Sequence, residues 1–118
     1  MKLPEGFHTL TPRIVTNDVR RLVEFLSRTF DATGEVSEGR PAVIRIGDSV
    51  LLISPVGPRP AMPMFLYVYV EDADATYRRA VEAGAKALEA PLDTPYGDRR
   101  AMVEDHSGNI WQIATCRG

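Results

Sequence analysis

Residues 65–72 read Phe65-Leu66-Tyr67-Val68-Tyr69-Val70-Glu71-Asp72. This is a strand of aromatic and β-branched residues running straight into a helix cap. The same order appears earlier, where Thr9 to Thr16 reads as a strand and Asn17-Asp18 as a cap. Sliding Asp18 onto Asp72, a shift of 54 residues, lays strand on strand, cap on cap and helix on helix. The chain restarts halfway along.

Working outward from that restart, periodicity fills in both halves. After Asp18, the residues Val19, Leu22, Val23, Leu26 and Phe30 form one apolar stripe at helical spacing. Strands are expected around Gly34–Ser37, Arg40–Ile46 and Ser49–Ser54, the last two joined at a Gly47-Asp48 hairpin turn. Pro12 lacks a ladder donor and predicts an edge or a bulge in the first strand. Pro55 to Pro63 carries four prolines and reads as a stiff connector. In the second half the helix stripe is Ala73, Thr76, Tyr77, Ala80 and Val81, ended by Gly84. Strands follow around Ala85–Ala90, Arg99–Glu104 and Ile110–Thr115. The expected fold is α+β: two βαβββ modules, at about 6–55 and 63–116, pairing their sheets around a concave cleft within one domain of 118 residues.

Composition narrows the function. Hydrophobic residues at 44% and charged residues at 25% are ordinary for a globular domain. A net charge of −2, with Arg20-Arg21, Arg78-Arg79 and Arg99-Arg100 interleaved with acids, provides no footprint for nucleic acid or an anionic membrane. The amino terminus lacks the apolar core of a signal peptide, and the longest apolar run is far below the ~20 residues of a spanning helix. A single cysteine, Cys116, cannot form an internal disulfide and reads as a tail residue, as expected of a cytoplasmic protein. No Ser-His-Asp or Cys-His set, phosphate loop or cysteine cluster points to another enzyme class.

The ordered motifs resemble the glyoxalase, bleomycin-resistance and extradiol dioxygenase (vicinal oxygen chelate) superfamily. In the first half these are the step Val15-Thr16-Asn17-Asp18, the helix pair Phe25-Leu26 and the exit Phe30-Asp31-Ala32. In the second they are Val70-Glu71-Asp72, Ala83-Gly84-Ala85 and the turn Asp105-His106-Ser107-Gly108-Asn109, similar to the family's Asp-Pro-x-Gly-Asn. Gly6 to Pro12 and Tyr96 to Arg100 resemble a bacterial subgroup, so the likeness runs from Gly6 to Thr115. It implies paired βαβββ modules, a homodimer, and one divalent metal held by four His or Glu side chains from the first and last strand of each half. Carried over one position at a time, those ligands fall on Thr11, on Leu51 or Leu52, on Phe65 and on Gln112. Neutral Thr and Gln bind such metals poorly, and Phe and Leu not at all. The expectation is therefore no metal, no cofactor and no catalytic residue, with His8 and Glu104 the only candidates for a relocated site.

What remains is a binding surface. If Phe65 faces the cleft, alternation brings Tyr67 and Tyr69 with it, Gln112 beside them, and Thr11 with Arg13 from the first half. The same three aromatics are equally readable as core between the sheets. Arg99 or Arg100 would either hold a ligand anion or pair with Asp98 or Glu104. His8 reads as a hydrogen-bonded histidine at the strand start, His106 as a solvated turn residue, and Trp111 as core or a subunit contact. The leading expectation is a metal-independent protein that binds, and so sequesters, an unidentified small molecule such as an aromatic or peptidic antibiotic. The alternatives are a metal-dependent lyase, isomerase or dioxygenase with a relocated site, and a metal-independent enzyme or accessory module. Dimer pairing within each chain and strand exchange between chains are both open.

Overall fold

In a computed structural model describing all of residues 1–118, the chain forms seven strands and two helices. The first half contains β1 (Arg13–Thr16), α1 (Val19–Phe30), β2 (Ala42–Ile46) and β3 (Ser49–Pro55). The second contains β4 (Phe65–Tyr69), α2 (Ala73–Glu82), β5 (Lys86–Asp93), β6 (Asp98–Glu104) and β7 (Ile110–Cys116). They make a three-stranded sheet, β1-β3-β2, and a four-stranded sheet, β4-β7-β6-β5. The fold is α+β, and neither sheet closes into a barrel.

Both caps form as the repeat requires. The Asp18 carboxylate accepts from the N–H of Arg21, and that of Asp72 from the N–H of Ala75, each at 3.1 Å. Gly84, at φ +103°, lets the chain leave α2 so that the Ala85 N–H reaches the Ala80 carbonyl at 3.0 Å. In each half the first and last strands run parallel and adjacent, with Arg13 opposite Leu52 and Tyr67 opposite Gln112. Arg13 and Tyr67 are themselves 54 residues apart, so the register makes Leu52 the counterpart of Gln112. Leu51 is buried against the helices in the core, which settles the choice between the two leucines.

Two expected strands differ. The first strand begins at Arg13 and not Thr9, because the Pro12 nitrogen has no proton to donate; its carbonyl still accepts from Leu52. No strand forms over Gly34–Ser37, where only a bridge from Thr33 to Arg45 remains. Gly34 holds φ +127°, and a Cβ there would lie 2.3 Å from the Val43 carbonyl. That stretch is mostly exposed and offers no alternating apolar face for a sheet to bury. The first module is thus one strand short of the second.

The halves join through one core on their helix-bearing faces. Leu22, Phe25, Leu26 and Phe30 of α1 meet Ala73 and Ala80 of α2 above Ile14, Ile53, Val103, Trp111 and Ile113. The Phe30 and Trp111 rings pack with centroids 5.5 Å apart. Trp111, fully buried, donates its indole N–H to Asp105 Oδ2 at 2.8 Å. Asp105 Oδ1 also accepts from the backbone N–H groups of Ser107 (2.8 Å) and Asn109 (3.0 Å). The Asn109 amide donates to the same carboxylate, while its oxygen accepts from the Met64 N–H at 2.9 Å. Ser107 and Thr16 hydroxyls bond across the two halves. The Asp105–Asn109 turn therefore ties together β4, β6, β7 and the first module.

Replacing Asp105 by Ala leaves the indole, two backbone N–H groups and an amide without their acceptor. We expect a loss of about 3 kcal/mol of unfolding free energy, with Asp105→Asn losing less. Urea denaturation followed by Trp111 fluorescence measures both, and an unchanged midpoint for Asp105→Ala would count against the turn as the junction of the fold.

Candidate functional site

Because the helix-bearing faces share the core, the opposite faces of the sheets turn away from it. They differ sharply. On the first sheet, Val15 and Val50 are buried. The preceding segment is tied alongside by Arg45 donating to the Glu5 carbonyl (3.2 Å) and by His8 Nε2 on the Asp48 carbonyl (2.8 Å). His8 is thus a hydrogen-bonded residue near the strand start, as expected. On the second sheet nothing covers the equivalent positions: Phe65 is 64% exposed, Tyr67 37% and Tyr69 63%. The three aromatics of β4 are therefore exposed and not core.

Alternation places Ile110, Gln112 and Ala114 of β7 beside them, then Asp98, Arg100, Met102 and Glu104 of β6. The polar groups of this face form a directed hydrogen-bond chain. Tyr67 donates its single proton to Asp98 Oδ2 at 2.6 Å, and Tyr69 donates to the same oxygen at 3.0 Å. Tyr67 is then left to accept from the Tyr96 hydroxyl at 3.3 Å, and Tyr96 accepts from Arg100 Nη1 at 2.8 Å. Arg100 is held by Glu89 through two bonds of 3.0 and 3.3 Å. Asp98 itself is 5% exposed, and its backbone is locked to Thr94 across the β5–β6 turn.

These contacts move the phenols apart in acidity. Burial, followed by the hydrogen bond to Asp98, raises the Tyr67 pKa well above the ordinary tyrosine value. The bond to Asp98 does the same for Tyr69. Tyr96 is lowered, because its phenolate would accept hydrogen bonds from the Tyr67 hydroxyl and from the Arg100 N–H.

The seven residues named from sequence as ligand-binding thus fall into two groups. Phe65, Tyr67, Tyr69, Arg100 and Gln112 share the outer face of the second sheet. Thr11 and Arg13 belong to the first half: Thr11 precedes β1 and donates to the His8 carbonyl at 3.4 Å, and Arg13 is exposed on β1. No hydrogen bond or ion pair joins them to the second group. Arg100 pairs with Glu89, not with Asp98 or Glu104, and Arg99 pairs with Asp74 (3.0 Å) and Asp93 (3.4 Å). Antiparallel pairing sets Glu89 opposite Met102, two residues along β6 from Arg100, while Asp98 is occupied by the tyrosines. The sequence reading passed over Tyr96, Asp98 and Glu89 as site residues. Asp98 was reachable, since it alternates with Arg100 on β6; Glu89 was hidden by the irregular β5 register. His106 is exposed in its turn.

The family's metal does not fit these side chains. Thr11, Leu52, Phe65 and Gln112 supply no anion or imidazole, and no three His, Cys, Asp or Glu residues gather anywhere in positions to hold an ion.

A model of the Glyoxalase/Bleomycin resistance protein/Dioxygenase superfamily matches residues 6–113. The chain is 28% identical over 122 residues to the uncharacterized protein Mb0911c of Mycobacterium bovis, covering 88% of this chain and 80% of that protein. Its fold is similar to TioX from Micromonospora sp. ML1, with a TM-score of 0.79 at 22% identity over 92% of this chain and 98% of TioX. A Burkholderia phytofirmans PsJN family enzyme superposes with a TM-score of 0.75 at 18% identity, covering 89% and 95% of the two chains. Both structural likenesses speak for the fold. No helix is long and apolar enough to cross a membrane.

A phenol whose folded-state pKa is raised keeps its proton where the unfolded chain loses it. The stability contributed by Tyr67 and Tyr69 is therefore full below about pH 10 and is lost as pH climbs toward their folded values. Absorbance at 295 nm should show Tyr96 ionising before Tyr67 and Tyr69, assigned by single Tyr→Phe variants. Unfolding free energy should fall above about pH 10, less steeply in Tyr67→Phe. Ionisation of Tyr67 ahead of Tyr96 would contradict the hydrogen-bond chain.

Proposed function

Since the chain belongs to the Glyoxalase/Bleomycin resistance protein/Dioxygenase superfamily, we propose that it is a metal-independent binding protein for a small aromatic or peptidic molecule, acting by sequestration. One observation carries this reading: Phe65, Tyr67 and Tyr69 stand exposed side by side on a strand whose opposite face is packed in the core. Adjacent exposed aromatics are costly to leave in water and mark an interaction surface. The Tyr67 and Tyr69 rings are already set 5.3 Å apart at 58°, so little ordering remains for a ligand that stacks on them. Gln112, with Arg100 and its partners, supplies the few polar contacts that orient a bound molecule.

Capture needs affinity alone, and that matches a face lacking the donors for Lewis-acid chemistry. We place the protein in the cytoplasm as a homodimer, the second copy closing the open side of the face. Thr11 and Arg13 would enter the site from that copy's first sheet.

The test is a thermal-shift and calorimetric panel containing bleomycin, mitomycin C and the neutral planar compound acridone. We expect at least one probe to raise the Tm and to bind in the micromolar range. Phe65→Ala should weaken that binding at least tenfold while keeping the parent Tm. If no probe binds, or if Phe65→Ala binds as the parent does, the reading is overturned.

A further inference from the structure

The outer face of the second sheet is polarised along its length. At one end lies Asp98, more than nine-tenths buried, with both phenol hydroxyls on Oδ2. Its other oxygen, Oδ1, has no partner in the chain, yet it is not among the polar atoms sealed from solvent without one. Arg100, two residues along β6, is spent on Glu89 and reaches this end only through Tyr96. Arg99 and Arg117, the remaining cations near this turn, are paired with Asp74 and Asp93. At the far end Glu104 stands opposite Lys86 in the β5–β6 register, so there a cation is its cross-strand neighbour. The unmatched charge therefore sits at Asp98, against two tyrosine hydroxyls.

We propose that this face selects planar molecules bearing a cationic amine, with the ammonium on Asp98 Oδ1 and the ring system stacked along Tyr67, Tyr69 and Phe65. This rests on the aromatic face being the binding site, and it specifies the ligand's charge. A carboxylate already desolvated by its surroundings gains more from a charge-assisted hydrogen bond than one in bulk water. Electron-rich phenol rings beside it add cation–π attraction. The raised pKa values of Tyr67 and Tyr69 support the arrangement, since both rings stay neutral and keep their protons on Oδ2. An anionic ligand would meet the bare carboxylate, and Arg100 is not free to offset it.

Three probes of similar shape separate charge from stacking: 9-aminoacridine (cationic), acridone (neutral) and 9-anthracenecarboxylate (anionic). Fluorescence titrations of the full chain should give the order cation, neutral, anion, with the cation at least tenfold tighter than acridone. Asp98→Asn keeps an acceptor for the phenols and should erase that preference. Phe65→Ala should weaken both, which places the cation on this face. Should Asp98→Asn fail to fold, salt decides on the parent protein. The cation's Kd should rise several-fold between 50 and 500 mM NaCl, on the scale that screening sets, while acridone's stays constant. If acridone binds as tightly as the cation, or the anion binds best, the charge assignment is overturned and the aromatic site stands. If none of the three binds, the charge assignment falls, and the aromatic site then stands or falls on bleomycin and mitomycin C.

Discussion

The Asp105 carboxylate is the point on which the rest of the structure hangs. Buried in the β6–β7 turn, it accepts from two backbone N–H groups, an amide and the Trp111 indole. Each of these donors would otherwise be desolvated with nothing to meet it. By fixing Trp111 it fixes the register of β7, one of the two inner strands of its sheet, and so the row in which Gln112 faces Tyr67. By fixing Asn109 it fixes where β4 begins, through the Met64 N–H. A buried charge thus converts a loop into a template, and the three aromatics of β4 inherit their alignment from it.

Much of this was legible in the sequence because it rests on local rules. The two Asp caps, the Gly84 exit and the Gly47-Asp48 hairpin are set by neighbours in the chain, and all form as expected. The repeat carried the topology further: the 54-residue shift sets both halves on one plan, and in each the first and last strands pair in parallel at matching register. The Gly34–Ser37 strand failed for a reason that propensity does not see: the glycine there is packed against the backbone of β2. The site was half legible. Period-2 alternation grouped Phe65, Tyr67 and Tyr69, but whether that face was core or surface depended on which sides of the sheets the halves would share. The Glu89–Arg100 pair depends on an irregular β5 register that no spacing rule announces.

The departures from the family's metal pattern become coherent once the faces are compared. The position opposite Gln112 is Tyr67, and its counterpart opposite Leu52 is Arg13. Neither half supplies a carboxylate or imidazole where the resemblance implies a ligand. An anion that this face does possess, Asp98, opens β6, where it is committed to phenol hydroxyls. Charge has been kept on the face but moved away from the metal's place.

The arrangement of the two sheets has a consequence for how such a chain changes over time. Residues pointing toward the helices form the shared core, and Phe65, Tyr67 and Tyr69 on the outer face of the second sheet lie outside it. Drift in the outward residues of β4 is therefore only weakly opposed by selection for folding. One scaffold can in this way be retuned from one small molecule to the next through a few exposed positions, while the buried turn beneath them stays as it is.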